Sequence, residues 1–188
     1  MPPKAKIAKK EIVDAALAIV RKEGVAALNA RAVAAALGCS TQPVFSNFAT
    51  MEELHTATLT AAHEVYLGFL RSEARLGRYP KYKCFGMAYI RFAKEEGELF
   101  KLLFMCDRKG EELTPTADFS ASVELIMEAN SIPRDVAERI HLETWTCVHG
   151  IAVMTVTSFL SLDESLISDM LTDVYQGIRA HHVKEARR

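Results

Sequence analysis

Apolar residues recur along the chain with the spacing of amphipathic α-helices. Near the N terminus, five apolar positions recur at the spacing i, i+3, i+4, i+7 and i+8, and Gly24 ends the pattern; the positions are Ile12, Ala15, Ala16, Ile19 and Val20. The same spacing returns in several later segments, whereas no segment alternates apolar and polar residues as a half-buried strand would. The pattern therefore predicts an all-α protein without internal repeats.

Two short helices joined by a tight turn are predicted in the first quarter of the chain. Asn29 is placed to cap the first of them, and Gly38 supplies the left-handed backbone conformation that ends a helix. Ser40 or Thr41 starts the second helix, and Pro43 falls in its first turn, where a missing N–H costs little. Two helices with this kind of turn are typical of a DNA-reading helix-turn-helix.

The segment from Gly38 to Leu54 carries a more specific signal. It reads Gly-x-Ser-x-x-x-Val-Phe-x-x-Phe-x-Thr-x-Glu-x-Leu, which resembles the DNA-binding domain of the TetR family of bacterial transcriptional regulators. The resemblance is close over about residues 6–59. Phe45 stands where the family usually has Tyr, and Met51 stands where it usually has Lys. Because both changes remove a group that commonly contacts phosphate, we expect weaker or more sequence-dependent DNA binding.

The expected architecture has two parts. Residues 1–50 are predicted to form a three-helix helix-turn-helix DNA-binding domain, and residues 51–188 a helical ligand-binding and dimerisation bundle. A capping box of Thr50 and Glu53 predicts that a fourth helix begins directly after the second helix of the helix-turn-helix, which would be the recognition helix. We expect this helix to end near Arg71.

Loops and further helices are predicted in the second part. Residues 71–83 and 107–116 contain charges, Gly and Pro, and both are predicted to be loops. Pro133 opens a long helix whose apolar stripe extends to Leu160. Either Asp163 or Ser165 caps the last helix.

Seven residues are predicted to contact DNA. Gln42 suits an adenine edge, Thr41 a base or a phosphate, and Pro43 with Phe45 the methyl groups of thymine. The others are expected to fix position on the backbone. Helix capping is the alternative role for the polar residues, and we favour it for Ser40; for Arg31 the alternative is a plain surface cation. The set is Arg31, Ser40, Thr41, Gln42, Pro43, Phe45 and Asn47.

The second part resembles, more loosely, the C-terminal regulatory domains of one TetR subgroup. The matching patterns are Tyr89-x-x-Phe92-Ala93, then Leu99-Phe100-x-Leu102-x-Phe104, then Trp145-x-x-x-His149-Gly150. Gly97 stands where Pro is common in the subgroup. This resemblance implies that each subunit of a homodimer contributes two helices to a four-helix interface.

The second part is predicted to contain two functional sets of residues, one for an effector and one for a dimer interface. A small apolar or aromatic effector is predicted to bind among Tyr89, Phe92, Phe100, Phe104, Trp145, His149 and Met154. Plain core packing is the alternative role for each of them. The last two helices are predicted to form the dimer interface through Gly150, Thr157, Ser161, Ile167, Met170, Val174 and Ile178.

Composition and charge agree with this interpretation. The net charge of −1 hides an asymmetry: residues 1–50 hold seven Lys or Arg against three Asp or Glu, which leaves 16 of 23 basic and 21 of 24 acidic residues for the rest. A basic N-terminal segment followed by an acidic remainder is consistent with a phosphate-binding first domain and a second domain that does not bind DNA. No apolar run is long enough to span a bilayer and no signal peptide is evident, so we expect a cytoplasmic protein.

The chemistry-bearing residues do not indicate an enzyme. The four cysteines are widely spaced, which favours reduced thiols over a metal or redox site. Cys147 and His149 lie two residues apart on one helix and therefore point apart. His55 and His63 are too far apart for a one-turn metal site. We expect no catalytic residues, no metal and no cofactor.

Two functions remain open from the sequence. The first is a ligand-responsive transcriptional regulator, a repressor, that binds a palindromic operator as a homodimer and is released by a small-molecule effector. The second is a constitutive DNA-binding architectural or accessory protein without an effector.

Overall fold

A computed structural model describes residues 7–106 and 117–186 of the chain, and within these ranges the protein is all-α. The described residues form nine α-helices, a short 3-10 turn at Val25–Ala27, and no strand. The helices are α1 Lys9–Glu23, α2 Ala30–Ala36, α3 Gln42–Asn47, α4 Met51–Leu76, α5 Lys81–Glu95, α6 Gly97–Phe104, α7 Ala117–Asn130, α8 Arg134–Val156 and α9 Glu164–Ala186. The predicted fold class is confirmed, and the loop predicted at 107–116 lies outside the described residues.

The described helices group into two compact units. The first comprises residues 7–67 and 96–106, and the second comprises residues 68–95 and 117–186. Helix α4 contributes to both, and α6 belongs to the first unit although it follows α5 in the chain. The boundary expected between residues 50 and 51 stays a prediction.

The core of the first unit is built from one apolar face of each helix. Helix α1 packs against α2 and α6, and α2 packs against α3. An ion pair of 2.7 Å joins Arg21 Nε on α1 to Glu96 Oε2 at the start of α6. The side chains that are fully buried include Ile12, Ala16, Val20, Val33, Leu54, Ala62, Leu99 and Phe100.

The second unit is organised around α5 and α8. Helix α8 packs against α5, α7 and α9, and α5 also contacts α7 and α9. One apolar cluster in this unit consists of Val123, Ile126, Ile132, Ala137, Ile140 and Val183. Phe92 on α5 and Ile151 and Ala152 on α8 are also buried.

Helix α4 is longer than expected, because a buried ion network holds its last turns. The helix ends at Leu76, so the loop predicted over residues 71–83 is wrong for all but the short connection before Lys81. Glu73 is only 1% exposed, and its carboxylate lies 2.9 Å from Arg78 Nη2 and 2.8 Å from Arg91 Nη1. A buried carboxylate needs such partners to offset its loss of hydration.

Helix α8 is shorter than expected, because a Schellman motif ends it at Val156. Ser158 adopts a left-handed φ of 56°, and its N–H donates to Thr155 O at 3.1 Å. Phe159 N–H donates to Met154 O at 2.9 Å, which completes the motif. Because the helix ends at Val156, the apolar stripe predicted up to Leu160 does not continue as helix. Phe159, beyond the helix end, is 75% exposed.

The start of α9 resolves one open alternative. Asp163 Oδ1 accepts a hydrogen bond of 2.8 Å from Leu166 N–H, and Ser165 Oγ donates to the same carboxylate at 2.8 Å. The cap is therefore Asp163. Hydrogen bonds from backbone and side chain lower the pKa of this carboxyl group.

Candidate functional site

The turn between α2 and α3 is fixed by its own backbone hydrogen bonds. Asn29 Oδ1 caps α2 by accepting from Arg31 N–H at 3.1 Å and Ala32 N–H at 3.0 Å. At the other end, Gly38 has a φ of 64°, and Cys39 N–H donates to Ala34 O at 3.0 Å in a second Schellman motif. The predicted helix-turn-helix geometry is present.

Two buried side chains hold α3 against the first unit. Val44 and Phe48 are each 1% exposed and lie one turn apart, so they fix which face of α3 points outward. Thr41 occupies the N-cap position, and Pro43 lies in the first turn as predicted. The outward face presents Gln42 and Phe45, and the Phe45 ring is 51% exposed.

The predicted contact residues differ in their surroundings. Ser40 is exposed, whereas Thr41 and Pro43 are half-buried. Asn47 is also half-buried, and its amide donates to Pro43 O at 2.8 Å and to Ile7 O at 3.4 Å. The Asn47 side chain therefore ties α3 to the start of α1.

Ser46 is an exposed α3 residue that sequence reasoning missed. It lies one turn after Gln42, and its hydroxyl donates to Gln42 O at 2.8 Å. The hydroxyl oxygen can still accept a hydrogen bond. Helical spacing from Gln42 was the signal that could have found it.

Arg31 differs from the other described basic residues of the first unit. It is exposed and forms no ion pair with any residue that the structure describes. Each of the others lies within 4 Å of a carboxylate oxygen, namely Lys9, Lys10, Arg21, Lys22 and Lys101. Of these described cations, Arg31 is the one whose charge no neighbouring carboxylate offsets.

The turn from α3 to α4 departs in one detail from the expected capping box. Thr50 Oγ1 accepts from Glu53 N–H at 3.2 Å, as predicted. The Glu53 carboxylate, however, accepts from Ala49 N–H at 2.8 Å, one residue before the expected partner. This hydrogen bond is the main reason that the pKa of Glu53 is lowered.

The predicted ligand-binding residues are divided between the two units. Phe100 and Phe104 belong to the first unit, where Phe104 packs edge-on against Tyr66 at 5.3 Å between ring centroids. The other five belong to the second unit. Among these, Phe92 is fully buried and packs against Phe69 at 5.3 Å, and Met154 is half-buried.

Three of the predicted residues meet within the second unit. The hydroxyl group of Tyr89, a residue 4% exposed, lies 2.9 Å from His149 Nδ1. The ring of Trp145 stacks on His149 with 5.1 Å between centroids and 20° between planes. Burial lowers the pKa of His149, which favours the neutral imidazole. Trp145 is 40% exposed, so this aromatic group extends from the core to the surface.

A second buried histidine was not singled out from the sequence. His141 is 8% exposed, and its Nδ1 lies 2.9 Å from the Tyr82 hydroxyl. The Phe119 ring packs edge-on against it at 4.8 Å. Burial lowers the pKa of His141 to about 4 and raises the pKa of Tyr82. The imidazole is therefore neutral at physiological pH.

The predicted dimer residues are partly core and partly surface. Ile167 is 5% exposed and packs inside its own protomer. Gly150, Met170, Val174 and Ile178 are half-buried, whereas Thr157 and Ser161 are exposed and follow the end of α8. Three further large side chains on α8 and α9 are exposed by 40% or more, namely Leu142, Trp145 and Leu166.

Other kinds of site have little support among residues 7–106 and 117–186. These ranges contain no group of three or more His, Cys, Asp or Glu that could hold a metal ion. Within the same ranges, no helix combines the length and apolarity that a membrane span requires. All four cysteines are free thiols.

Two solved structures are similar to this chain. One is a member of the TetR family from Streptomyces coelicolor A3, with a TM-score of 0.62 and 20% identity, covering 88% of this chain and 96% of that chain. The other is the multidrug binding protein EbrR, solved with imidazole, with a TM-score of 0.62 and 22% identity over 88% of each chain. No family model and no curated protein matches the sequence. The chain therefore has the all-helical fold of TetR family regulators.

Proposed function

We propose that this chain is a member of the TetR family and regulates transcription by binding a palindromic DNA operator as a homodimer. The observation that carries the proposal is the outward face of α3. Gln42 and the exposed Phe45 ring project from a short helix that Val44 and Phe48 anchor in the core. An exposed amide and an exposed aromatic ring on such a helix suit the edges of bases in a major groove.

The polar groups divide into base contacts and backbone contacts. Gln42 offers a bidentate amide to adenine, while Phe45 and Pro43 offer apolar contact to thymine methyl groups. Arg31, with no carboxylate partner among the described residues, provides a phosphate contact. Ser40 and Thr41 add hydroxyl groups directly before α3, and Ser46 adds one within it.

The homodimer is supported by the surface of α8 and α9. Leu142, Trp145 and Leu166 are large apolar residues with 40% or more of their surface exposed. Gly150 and Gly177 are open, since no atom lies within 4 Å of the position that a β-carbon would occupy on either. Exposed apolar side chains are surface that a partner can bury, and open glycines on the same two helices permit close approach of a partner helix. A two-fold axis would then present two copies of α3 about 34 to 36 Å apart, or a multiple of that distance, on one face of the duplex.

The effector is an apolar or aromatic small molecule that binds the second unit and releases the operator. Repression is the outcome that the resemblance to the TetR family implies. Tyr89, His149 and Trp145 support this part of the proposal, because they combine aromatic surface with a neutral imidazole. One of the two similar structures is of a protein named as multidrug binding, which supports a small-molecule ligand. Release requires that the effector bind the DNA-free conformation more tightly.

Selection of bound duplexes from a random pool tests DNA recognition and dimerisation together. A palindromic consensus, with protein of twice the protomer mass by analytical ultracentrifugation, is expected. Non-palindromic binding by a monomer would refute the homodimer, and recovery of no sequence preference would refute operator recognition.

A thermal-shift screen of apolar and aromatic compounds tests the effector. A ligand that binds the native state raises the melting temperature, and the same ligand should weaken operator binding. Ligands that raise the melting temperature without changing operator affinity would contradict release. If a broad library contains no stabilising compound, the constitutive DNA-binding role is favoured instead.

A further inference from the structure

A lysine on α1 lies beside the C-terminal end of α3. Lys9 Nζ is 4.5 Å from the centroid of the Phe48 ring, and Phe48 is the C-cap residue of α3. The same ammonium group is 3.1 Å from Glu53 Oε1 in the first turn of α4. The other Glu53 oxygen accepts from Ala49 N–H at 2.8 Å. Lys9 therefore lies at the turn that follows α3, the proposed recognition helix.

A second contact places the start of α1 along the same end of α3. The Asn47 amide donates to Ile7 O at 3.4 Å, two residues before Lys9. An α-helix with its side chains is about 10 to 12 Å across, and the major groove is about 12 Å wide. A helix seated in that groove therefore has phosphates directly beside it, and an exposed cation at its end is close to them.

Lys9 keeps the capacity to bind a phosphate while it contacts the protein. Its side chain is 55% exposed, and an ammonium group carries three N–H donors, of which Glu53 takes one. An unrestrained lysine side chain loses much rotamer entropy when it is fixed on a ligand. Contact with Glu53 and Phe48 already restricts the Lys9 side chain before DNA arrives.

From this arrangement we propose that Lys9 donates a hydrogen bond to a DNA backbone phosphate and that the Glu53 carboxylate competes with this phosphate for the Lys9 ammonium group. The inference rests on the proposed function, because it takes α3 to be the helix that enters the groove. It adds a contact from α1 to those expected from α2 and α3. It also assigns Glu53 an opposing effect, since its carboxylate repels the phosphate that Lys9 attracts.

Lys10 provides a matched control. It is the next residue on α1, carries the same charge and is 83% exposed, but its partner is Asp14 on α1 itself, at 2.5 Å. Removing either lysine changes the net charge of the protein equally. A difference between the two variants therefore reports position and not overall charge.

The test is the salt dependence of DNA affinity, measured by fluorescence anisotropy between about 50 and 200 mM salt on a random-sequence duplex and on the selected duplex. For Lys9→Gln, the slope of log affinity against log salt concentration is expected to fall by about 0.9 for each protomer that contacts DNA. Lys10→Gln should keep the wild-type slope, and Lys9→Arg should restore it. Equal slope changes in both Gln variants, or no change in Lys9→Gln, would overturn the proposal.

DNA binding by Glu53→Gln tests whether Lys9 contacts a phosphate or only forms an ion pair within the protein. The glutamine oxygen can still accept from Ala49 N–H, while the negative charge is gone. Tighter DNA binding is expected, with a slightly lower melting temperature because the first turn of α4 loses a favourable negative charge. Weaker binding would show that the Glu53 carboxylate does not compete with a phosphate for Lys9, and would overturn the proposal. Absence of any salt-sensitive binding by the wild type is a different result, because it refutes the proposed function itself.

Discussion

The contacts of the buried Glu73 carboxylate predict how much stability the protein loses when its charge is removed. Glu73→Gln removes the one negative charge that lies between the guanidinium groups of Arg78 and Arg91, at 2.9 and 2.8 Å. Removing one partner of a buried ion pair costs about 3 to 5 kcal/mol. The Arg78 side chain is 43% exposed, so solvent screens part of its charge. We therefore expect the free energy of unfolding to fall by about 3 kcal/mol, at the lower end of that range.

The loss is measured by urea unfolding and checked by the melting temperature. In a protein of this size, 1 kcal/mol corresponds to roughly 2 to 4 °C, so the melting temperature should fall by about 6 to 12 °C. Glu164→Gln is the control, since Glu164 pairs with the same Arg78 at 2.8 Å but is 55% exposed. That variant should lose less than about 1 kcal/mol. Equal small losses in both variants would refute the claim that burial makes the Glu73 network strong.

Three other predictions concern stability. Because burial lowers the pKa of His141 to about 4 from an ordinary value of about 6.5, the folded protein binds fewer protons than the unfolded chain between these values. Urea unfolding should show full stability above about pH 6.5 and a loss of up to about 3 kcal/mol as pH falls towards 4; an identical pH dependence in His141→Gln would contradict this assignment. Asn29→Ala should cost about 1 kcal/mol by urea unfolding because two N–H groups of α2 lose their acceptor, whereas Asn29→Asp should retain stability. Gly38→Ala should cost about 1 to 2 kcal/mol through its φ of 64° alone, since no atom lies within 4 Å of the added carbon; an alanine variant as stable as wild type would show that the turn carries no strain.

Features that depend on near neighbours in sequence were predictable. Gly24 and Gly38 end their helices with positive φ angles of 81° and 64°, and Asn29 caps α2 through residues two and three positions away. Val44 and Phe48 lie four residues apart on α3, and both are buried on the same face of the helix. Each of these signals lies within a turn or two of chain, so local backbone chemistry is enough to decide it.

Features that depend on distant partners were not predictable. Glu73 lies in a basic segment that was predicted to be a loop, and its burial depends on Arg78 and also on Arg91, which is 18 residues away. The His141–Tyr82 contact joins residues 59 apart. The placement of α6 in the first unit depends on how the chain returns after α5, which no local pattern encodes.

The sequence predicted the helix that forms the candidate DNA-binding face, but not the contacts that its residues make with α1. Asn47 stays a predicted DNA contact, but the hydrogen bonds of its amide to Pro43 O and Ile7 O were not indicated by the sequence. The contact of Lys9 with Phe48 depends on how α1 crosses the end of α3, and no sequence pattern measures that crossing. Single-sequence patterns therefore identified the helix but not all of its neighbours.

Binding of single-base variants of the selected duplex by wild type and Gln42→Ala tests the central claim most directly. If α3 reads DNA, the variant should lose preference at one base pair in each half-site, at a cost of about 1 to 3 kcal/mol there, and keep its preference elsewhere. The wild type should lose affinity steeply as salt concentration rises. Equal weakening on every duplex, or no salt-sensitive binding at all, would contradict the proposal that the outward face of α3 recognises an operator.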